Sequence, residues 1–222
     1  MTMRRDVPAL SPLSRSPDAT ESSVEPPARR GSGFSAWFAE SEPDRAQVAA
    51  FVDSIYVKSF GGRPPLADAY VAVEFRGELV SCIGVEREGP DGRLGIERMY
   101  RLDRSRLPLT EAVQFVRWAS KMPRAGRHAL YAAAVFGLAR GRSLALVEHN
   151  DKVHRHCEKL GLVFRDIPHE GVDFSTLHGE GWLHYPKGTM NPYMIELEQL
   201  RRSLGPGAVG LSFRGQGVGT PS

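Results

Sequence analysis

Two short apolar runs separated by three polar residues constrain the fold of this chain more than any other feature. The runs are Ala69–Phe75 (AYVAVEF) and Leu79–Glu86 (LVSCIGVE), and they flank Arg76-Gly77-Glu78. Strand-forming runs joined by such a short polar connection predict a β-hairpin. A Gly-Pro-Asp-Gly turn follows at 89–92, and the residues Leu94–Leu102 then predict a third strand. An antiparallel meander of this kind buries one of its faces.

Helices are predicted on both sides of this meander. Pro43 begins a helix that ends at Gly61-Gly62, with its apolar residues broadly on one face. The segments predicted downstream are, in chain order, helices over 108–121 and 125–139, a strand over 143–147, a helix over 151–160, and strands over 162–167 and 192–198. This order predicts a single mixed domain of the α/β or α+β class.

The two ends of the chain differ in composition from its middle. Residues 1–33 are rich in proline, serine and arginine and hold few large apolar groups, which predicts a disordered extension. Residues 205–222 are glycine-rich and predict a flexible tail. The folded domain is therefore expected over 34–204.

Composition excludes several classes of protein. Cys82 and Cys157 are the only cysteines, which excludes a disulfide framework and a four-cysteine zinc site and favours a reduced, cytoplasmic protein. His154 and His156 lie two residues apart on a predicted helix and do not share a face, so no metal site is expected. No apolar stretch approaches the length of a membrane span. The formal net charge of +3 suits an acidic partner but is too small to indicate nucleic-acid binding.

The residues from Asn150 to Phe164 carry a resemblance to a known family. A strand is followed by Asn150 and then by a helix that ends in Cys157-Glu-Lys-Leu-Gly-Leu-Val-Phe164. This unit resembles the GNAT acyltransferase superfamily. The preceding meander is most similar to its autoinducer-synthase-like branch, which includes acyl-homoserine-lactone synthases, N-acyl amino acid synthases and the thermostable hemolysin family. The resemblance implies a central, mostly antiparallel, twisted sheet flanked by helices.

The resemblance also implies roles for three catalytic candidates. Glu97 corresponds to a glutamate on the fourth strand and is expected to act as the base or to bind the ammonium group. Cys157 occupies the position of a tyrosine that acts as general acid, and His149 is a candidate proton relay. Simpler roles remain open for all three: a solvated strand carboxylate, a small buried residue and a helix-capping segment.

Further residues are candidates for binding the substrates. Asn150, Arg101 and Met99 are assigned to the acyl donor, with local helix capping as the alternative for Asn150. The candidates for the acyl chain or acceptor are Trp118 and Tyr131, on the two predicted middle helices, and Trp182 and Tyr185, in a polar-aromatic loop. Ordinary core packing and an ordinary aromatic loop are the alternatives for these four.

A phosphate-binding loop is missing where the resemblance would place it. Residues 101–124 contain no Gln/Arg-x-x-Gly-x-Gly/Ala motif, whose backbone amides cradle a pyrophosphate. The pattern occurs at Arg214–Gly219, after the last predicted strand and without a following helix, where a flexible tail is the simpler interpretation. The missing loop favours a donor held through its pantetheine arm, as an acidic acyl carrier protein presents it.

Together these features predict an N-acyltransferase without a permanent cofactor. It would move a fatty acyl group from an acyl carrier protein or acyl-CoA to a small amine or amino acid. Two alternatives stay open: a short-chain acetyl-CoA-dependent N-acetyltransferase, and a catalytically inert binding module of the same fold.

Overall fold

The computed structural model describes residues 33–107, 109–169, 171–173 and 190–214. The expected N-terminal extension, up to residue 32, lies outside the described residues. Trp182, Tyr185 and the glycine-rich residues after Arg214 lie outside them as well. None of the helices within the described ranges combines the length and the apolar composition that a membrane crossing requires.

The described residues form one open sheet of eight strands. In chain order these are β1 (Phe34–Ala39), β2 (Ala69–Phe75), β3 (Glu78–Glu86), β4 (Ala112–Ser120), β5 (Leu144–Asn150), β6 (Arg165–Asp166), β7 (Met190–Glu196) and β8 (Ser212–Arg214). Their order across the sheet is β6-β7-β5-β4-β3-β2-β1-β8. The pairs β4–β5 and β1–β8 are parallel, and all the others are antiparallel. The predicted mixed, mostly antiparallel sheet in a single domain is therefore confirmed.

Helices cover both faces of this sheet. They are α1 (Glu42–Phe60), α2 (Gly95–Met99), α3 (Pro123–Ala139), α4 (Asp151–Lys159) and α5 (Leu197–Leu204). Val71 and Val73 of β2 pack in the apolar core that includes α3 and α5, whereas Tyr70 and Ala72 pack in the core that includes α1. Because successive side chains of a strand point to opposite faces and both faces are covered, β2 is apolar apart from Glu74.

The hairpin and the first helix form as the sequence predicts. Arg76 and Gly77 have φ values of 54° and 86°, the left-handed backbone of the turn that matches the twist of a two-residue hairpin. The Ser41 hydroxyl accepts a hydrogen bond from the Asp44 N–H at the start of α1, and Gly61 ends the helix in the left-handed conformation.

Two predicted elements have the wrong type. Residues 94–102 were expected to form a strand, but 95–99 form the short helix α2, in which the Glu97 carboxylate accepts the Leu94 N–H. Residues 108–121 were expected to form a helix, but 112–120 form β4. The first residues of β4 are buried on both faces of the sheet, so its apolar run shows no alternation that would separate a strand from a helix.

The ends of the folded domain also differ from the prediction. β1 was not predicted, and it begins at Phe34, the residue at which the folded domain is expected to start. The expected tail from Gly205 is part of the fold as far as Arg214, since 205–208 form a 3-10 turn and β8 pairs with β1. The Arg214 guanidinium pairs there with the buried Glu74 carboxylate, and Leu211 and Phe213 pack against the core that includes α3 and α5.

Candidate active site

The two central strands of the sheet separate part-way along their length. The parallel ladder between β4 and β5 ends at Phe115 opposite Val147. Beyond this point β4 stays paired with β3 as far as Ser120, and β5 stays paired with β7 as far as Asn150. A V-shaped gap therefore opens in the middle of the sheet, and the backbone groups that would have continued the ladder face it.

A β-bulge in β4 lies beside this gap. Between the pairs Cys82–Ala119 and Gly84–Val116, β4 advances by three residues where β3 advances by two. Arg117 lies in the bulge with a φ of 52°, in the left-handed region that a non-glycine residue occupies at a cost of about 1–3 kcal/mol. Such strain is concentrated at functional sites, because it persists only where surrounding contacts hold it.

A cavity of about 180 Å³ occupies the gap. Most of its walls are apolar and come from α1, α3, α4, α5 and the separated strands. The lining side chains with polar atoms are Tyr56, Arg117, Trp118, Glu148, His149, Asn150 and Cys157. An apolar cavity with a few converging polar groups is the usual form of a small-molecule site.

Glu148 is the carboxyl residue among those that line this cavity. Its carboxylate accepts a hydrogen bond of 2.6 Å from the Tyr100 hydroxyl. Burial raises the pKa of Glu148 to about 7, and the hydrogen bond from Tyr100 opposes this shift. A carboxyl group with a pKa near neutrality can both accept and return a proton at physiological pH.

Arg117 and Trp118 contribute donors that are not satisfied within the described residues. The Arg117 side chain is 7% exposed, and its Nη1 donates to the Glu86 carboxylate at 2.5 Å. Its Nε and the indole Nε1 of Trp118 are both buried and lack a hydrogen-bond partner among the described residues. Because buried polar groups are nearly always hydrogen-bonded in native proteins and both residues line the cavity, these two N–H groups are candidate donors to a ligand there.

His149 lies at the cavity but is a poor base. Its ring stacks on Tyr193 with centroids 4.3 Å apart, and its Nε2 lies 3.0 Å from His154 Nδ1. Burial, together with the neighbouring His154, lowers the pKa of His149 to about 4. The imidazole is therefore neutral at pH 7 and accepts a proton less readily than the Glu148 carboxylate.

Asn150 and Cys157 occupy the beginning and the end of α4. The Asn150 side chain accepts the Val153 N–H at 3.0 Å and caps the helix, which is the capping role that the sequence left open. Cys157 is 3% exposed, and burial raises the pKa of its thiol to about 11.

We expect Cys157→Ala to keep any thioester turnover within a few-fold of wild type. A thiol of pKa about 11 is a weaker acid than an ordinary leaving thiol of pKa about 8.5, so proton transfer between them is uphill. Steady-state turnover of an acyl thioester checks this. A loss of about a hundredfold or more in a folded variant would establish Cys157 as the general acid.

The three remaining residues of the α2 region lie apart from the cavity lining. Glu97 is on α2 and not on the fourth strand, and its carboxylate accepts from the Leu94 N–H and the Arg104 guanidinium. Met99 is 4% exposed in an apolar cluster beneath α2. Arg101 pairs with Asp173 at 3.3 Å on the surface.

The aromatic residues predicted to bind the acyl chain or the acceptor do not lie together in the structure. Trp118 is on β4 and not on a helix, and it lines the cavity. Tyr131 is on α3 as predicted but contacts Phe213 of β8, with ring centroids 6.4 Å apart, outside the cavity lining. Trp182 and Tyr185 lie outside the described residues.

Sequence reasoning assigned no role to Arg117, Tyr100 or Glu148. A charged residue between Val116 and Trp118 in an apolar run was the available signal for Arg117. Glu148 stands in the polar segment after a strand end.

Among the described residues, no group of three or more His, Cys, Asp and Glu side chains could hold a metal ion.

Comparisons with known proteins identify the fold. No family model matches the chain, and no curated protein matches it. The solved structure of FeeM, an N-acyl amino acid synthase from uncultured soil microbes, has a TM-score of 0.55 at 13% identity and covers 77% of this chain and 94% of FeeM. BjaI, a CoA-dependent acyl-homoserine lactone synthase solved with SAM and isopentyl-CoA, has a TM-score of 0.55 at 10% identity, with 83% and 93% covered.

A third solved structure gives the same result. TofI in a ternary complex with an inhibitor and MTA has a TM-score of 0.54 at 16% identity and covers 77% of this chain and 96% of TofI. At these identities the likeness concerns the fold, and it spans almost the whole length of each solved protein. The chain therefore shares its fold with these three solved proteins, and this is the fold that the sequence resemblance implies.

Proposed function

We propose that this protein is an N-acyltransferase that moves an acyl group from a thioester to a small amine. The observation that carries the proposal is the apolar cavity in the gap between β4 and β5, with Glu148 at its wall. FeeM and BjaI, which share the fold, are named as an N-acyl amino acid synthase and an acyl-homoserine lactone synthase. Both names describe the acylation of an amine.

The cavity provides the groups that this reaction needs. The Glu148 carboxylate takes a proton from the acceptor ammonium, and the free amine attacks the thioester carbonyl. The N–H groups of β4 that face no partner strand donate to the oxyanion that forms. When the C–S bond breaks, the leaving thiolate takes up the proton that Glu148 received. The amide nitrogen then gives its second proton to the regenerated Glu148 carboxylate, which passes it to water.

The size of the cavity favours an acyl chain longer than acetyl. A cavity needs roughly 10–15 Å³ to hold one water molecule, so about 180 Å³ accommodates on the order of a dozen non-hydrogen atoms. An acetyl group would fill only a small part of it. The donor is a fatty acyl thioester on an acyl carrier protein or on CoA, and the basic net charge of the chain suits an acidic carrier.

The buried Arg117 favours an acceptor with a carboxylate. Its Nε is unpaired within the described residues, and a guanidinium binds a carboxylate through two parallel hydrogen bonds. An amino acid would present its amine to Glu148 and its carboxylate to Arg117. An amine without the carboxylate would leave this buried donor unsatisfied, at a cost of about 1–3 kcal/mol.

The test is an acyl-transfer assay on the purified protein. Acetyl, octanoyl, dodecanoyl and hexadecanoyl thioesters of CoA and of an acyl carrier protein are each offered with leucine, tyrosine and the decarboxylated amine of each. Mass spectrometry is expected to detect N-acyl amino acids from the longer donors. Transfer from acetyl-CoA alone would establish the short-chain alternative, and binding of every donor without product would establish an inert module.

A further inference from the structure

A second cavity lies next to the candidate active site in the layer between the sheet and α3. Its volume is about 300 Å³. Its walls come from β1 to β4 and from the second half of α3, and they are mainly apolar. Charged side chains appear only at one end, where Arg87, Glu88, Arg140 and Arg142 are among the lining residues.

The two cavities follow one another along the same elements. On α3, Leu130 lines the first cavity, whereas Ala133 and Gly137 line the second. These positions share one face of the helix and span roughly 10 Å along its axis. On β3, Ile83 lines the first cavity and Val85 the second, on the same face of the sheet.

Phe115 is the residue of β4 that lines both cavities. It is 7% exposed and packs in the core with Val113 and Phe136, which line the second cavity. It is also the last residue of β4 that pairs with β5, so its ring stands where the gap closes. Phe115 is thus the side chain that the two apolar cavities share.

We propose that Phe115 is the partition that limits acyl-chain length and that the second cavity is the continuation that longer chains would enter. The proposal rests on the proposed function, since it assumes that an acyl chain fills the first cavity. A chain that fills the first cavity meets the ring edge or face and stops there. Removal of the ring joins the cavities and lets the chain extend toward the charged end of the second one.

The test measures binding of acyl-pantetheine thioethers, which cannot react, by calorimetry. The series runs from hexanoyl to hexadecanoyl, with Phe115→Leu, Phe115→Ala and the wild-type protein. Each newly buried methylene contributes up to about fourfold in affinity. We expect hexadecanoyl binding to rise at least about tenfold relative to octanoyl binding in the variants. Phe115→Leu keeps the proposal testable if the alanine variant does not fold.

Two further variants show whether a relaxed length limit comes from joining the two cavities or from a general loosening of the core. Phe75→Leu makes the same substitution at a packed residue that lines neither cavity and should leave the length preference unchanged. Ala133→Leu fills the second cavity and, added to Phe115→Leu, should restore the wild-type limit. An unchanged limit in both Phe115 variants, or a relaxed limit in Phe75→Leu, would overturn the proposal. Failure of every wild-type thioether to bind would instead count against the proposed function.

Discussion

Glu148→Gln is expected to lower acyl transfer by about a hundred- to ten-thousand-fold, the usual contribution of a positioned general base. Glutamine has the shape of glutamate and can still accept the Tyr100 hydroxyl, so the fold should be retained. The variant loses only the ability to take the proton from the acceptor. Steady-state kinetics with the best donor and acceptor from the panel measure the effect on kcat and on kcat/KM.

The pH dependence of the wild-type protein gives the same assignment a second test. Because Glu148 has a pKa of about 7 and must be ionised to accept a proton, kcat/KM should rise with pH and level off above about 7. Tyr100→Phe removes a hydrogen bond that stabilises the ionised carboxylate, so the rise in kcat/KM, the acid limb of the profile, should move to higher pH. Glu148→Gln should lack the limb altogether.

The raised pKa of Glu148 also has a consequence for stability. Between pH 4.5, the ordinary pKa of the group, and about pH 7 the folded protein holds a proton that the unfolded chain releases. The free energy of unfolding therefore falls as the pH rises through this window, and Glu148→Gln should remove this dependence.

A surface variant provides the control for the substitution itself. Glu196 pairs with Arg165 on the surface and lines neither cavity, so Glu196→Gln should keep wild-type kinetics. If Glu148→Gln turns over normally, or if the acid limb persists in it, another group accepts the proton.

Local signals in the sequence account for the parts of the fold that were predicted. The hairpin follows from two strand-forming runs around Arg76-Gly77, whose backbone sets the turn without help from the rest of the chain. The helix α3 was predicted over 125–139 and begins two residues earlier, at Pro123, a residue that favours the first turn of a helix. The error at β4 has the opposite cause, because an apolar run buried on both faces shows no period that distinguishes a strand from a helix.

The candidate site was only partly predictable, because some of its features depend on how distant strands pair. His149 and Asn150 follow the predicted strand over 143–147, and both are candidates from the sequence. The gap beside it arises where the parallel ladder ends at Phe115, and nothing local in the sequence specifies that point. Arg117 becomes a cavity residue only through the bulge in β4, whose register depends on β3. The strand predicted at 94–102, which is wrong, placed Glu97 on a strand and so made it the candidate base.

Arg104→Met is expected to destabilise the protein by about 3–5 kcal/mol, the cost of leaving a buried charge without its partner. The Glu97 side chain has no solvent exposure, and the Arg104 guanidinium donates to both of its carboxylate oxygens. Without Arg104 the carboxylate keeps the Leu94 N–H as its described partner. Chemical denaturation at pH 7 measures the loss, and Arg98→Met, which breaks the exposed pair with Asp91, should cost at most about 1 kcal/mol.

Glu97→Gln then decides between a structural and a catalytic role for this residue. Glutamine keeps an acceptor for the Leu94 N–H and leaves Arg104 partly exposed to water, so a smaller loss of about 1–3 kcal/mol is expected. Below its unfolding temperature the variant should turn over substrate as the wild type does, because Glu97 does not line the cavity. A variant with unchanged stability and lost activity would show the reverse: Glu97 would act on the substrate, as the sequence resemblance implies, and the assignment of the proton-accepting role to Glu148 would fail.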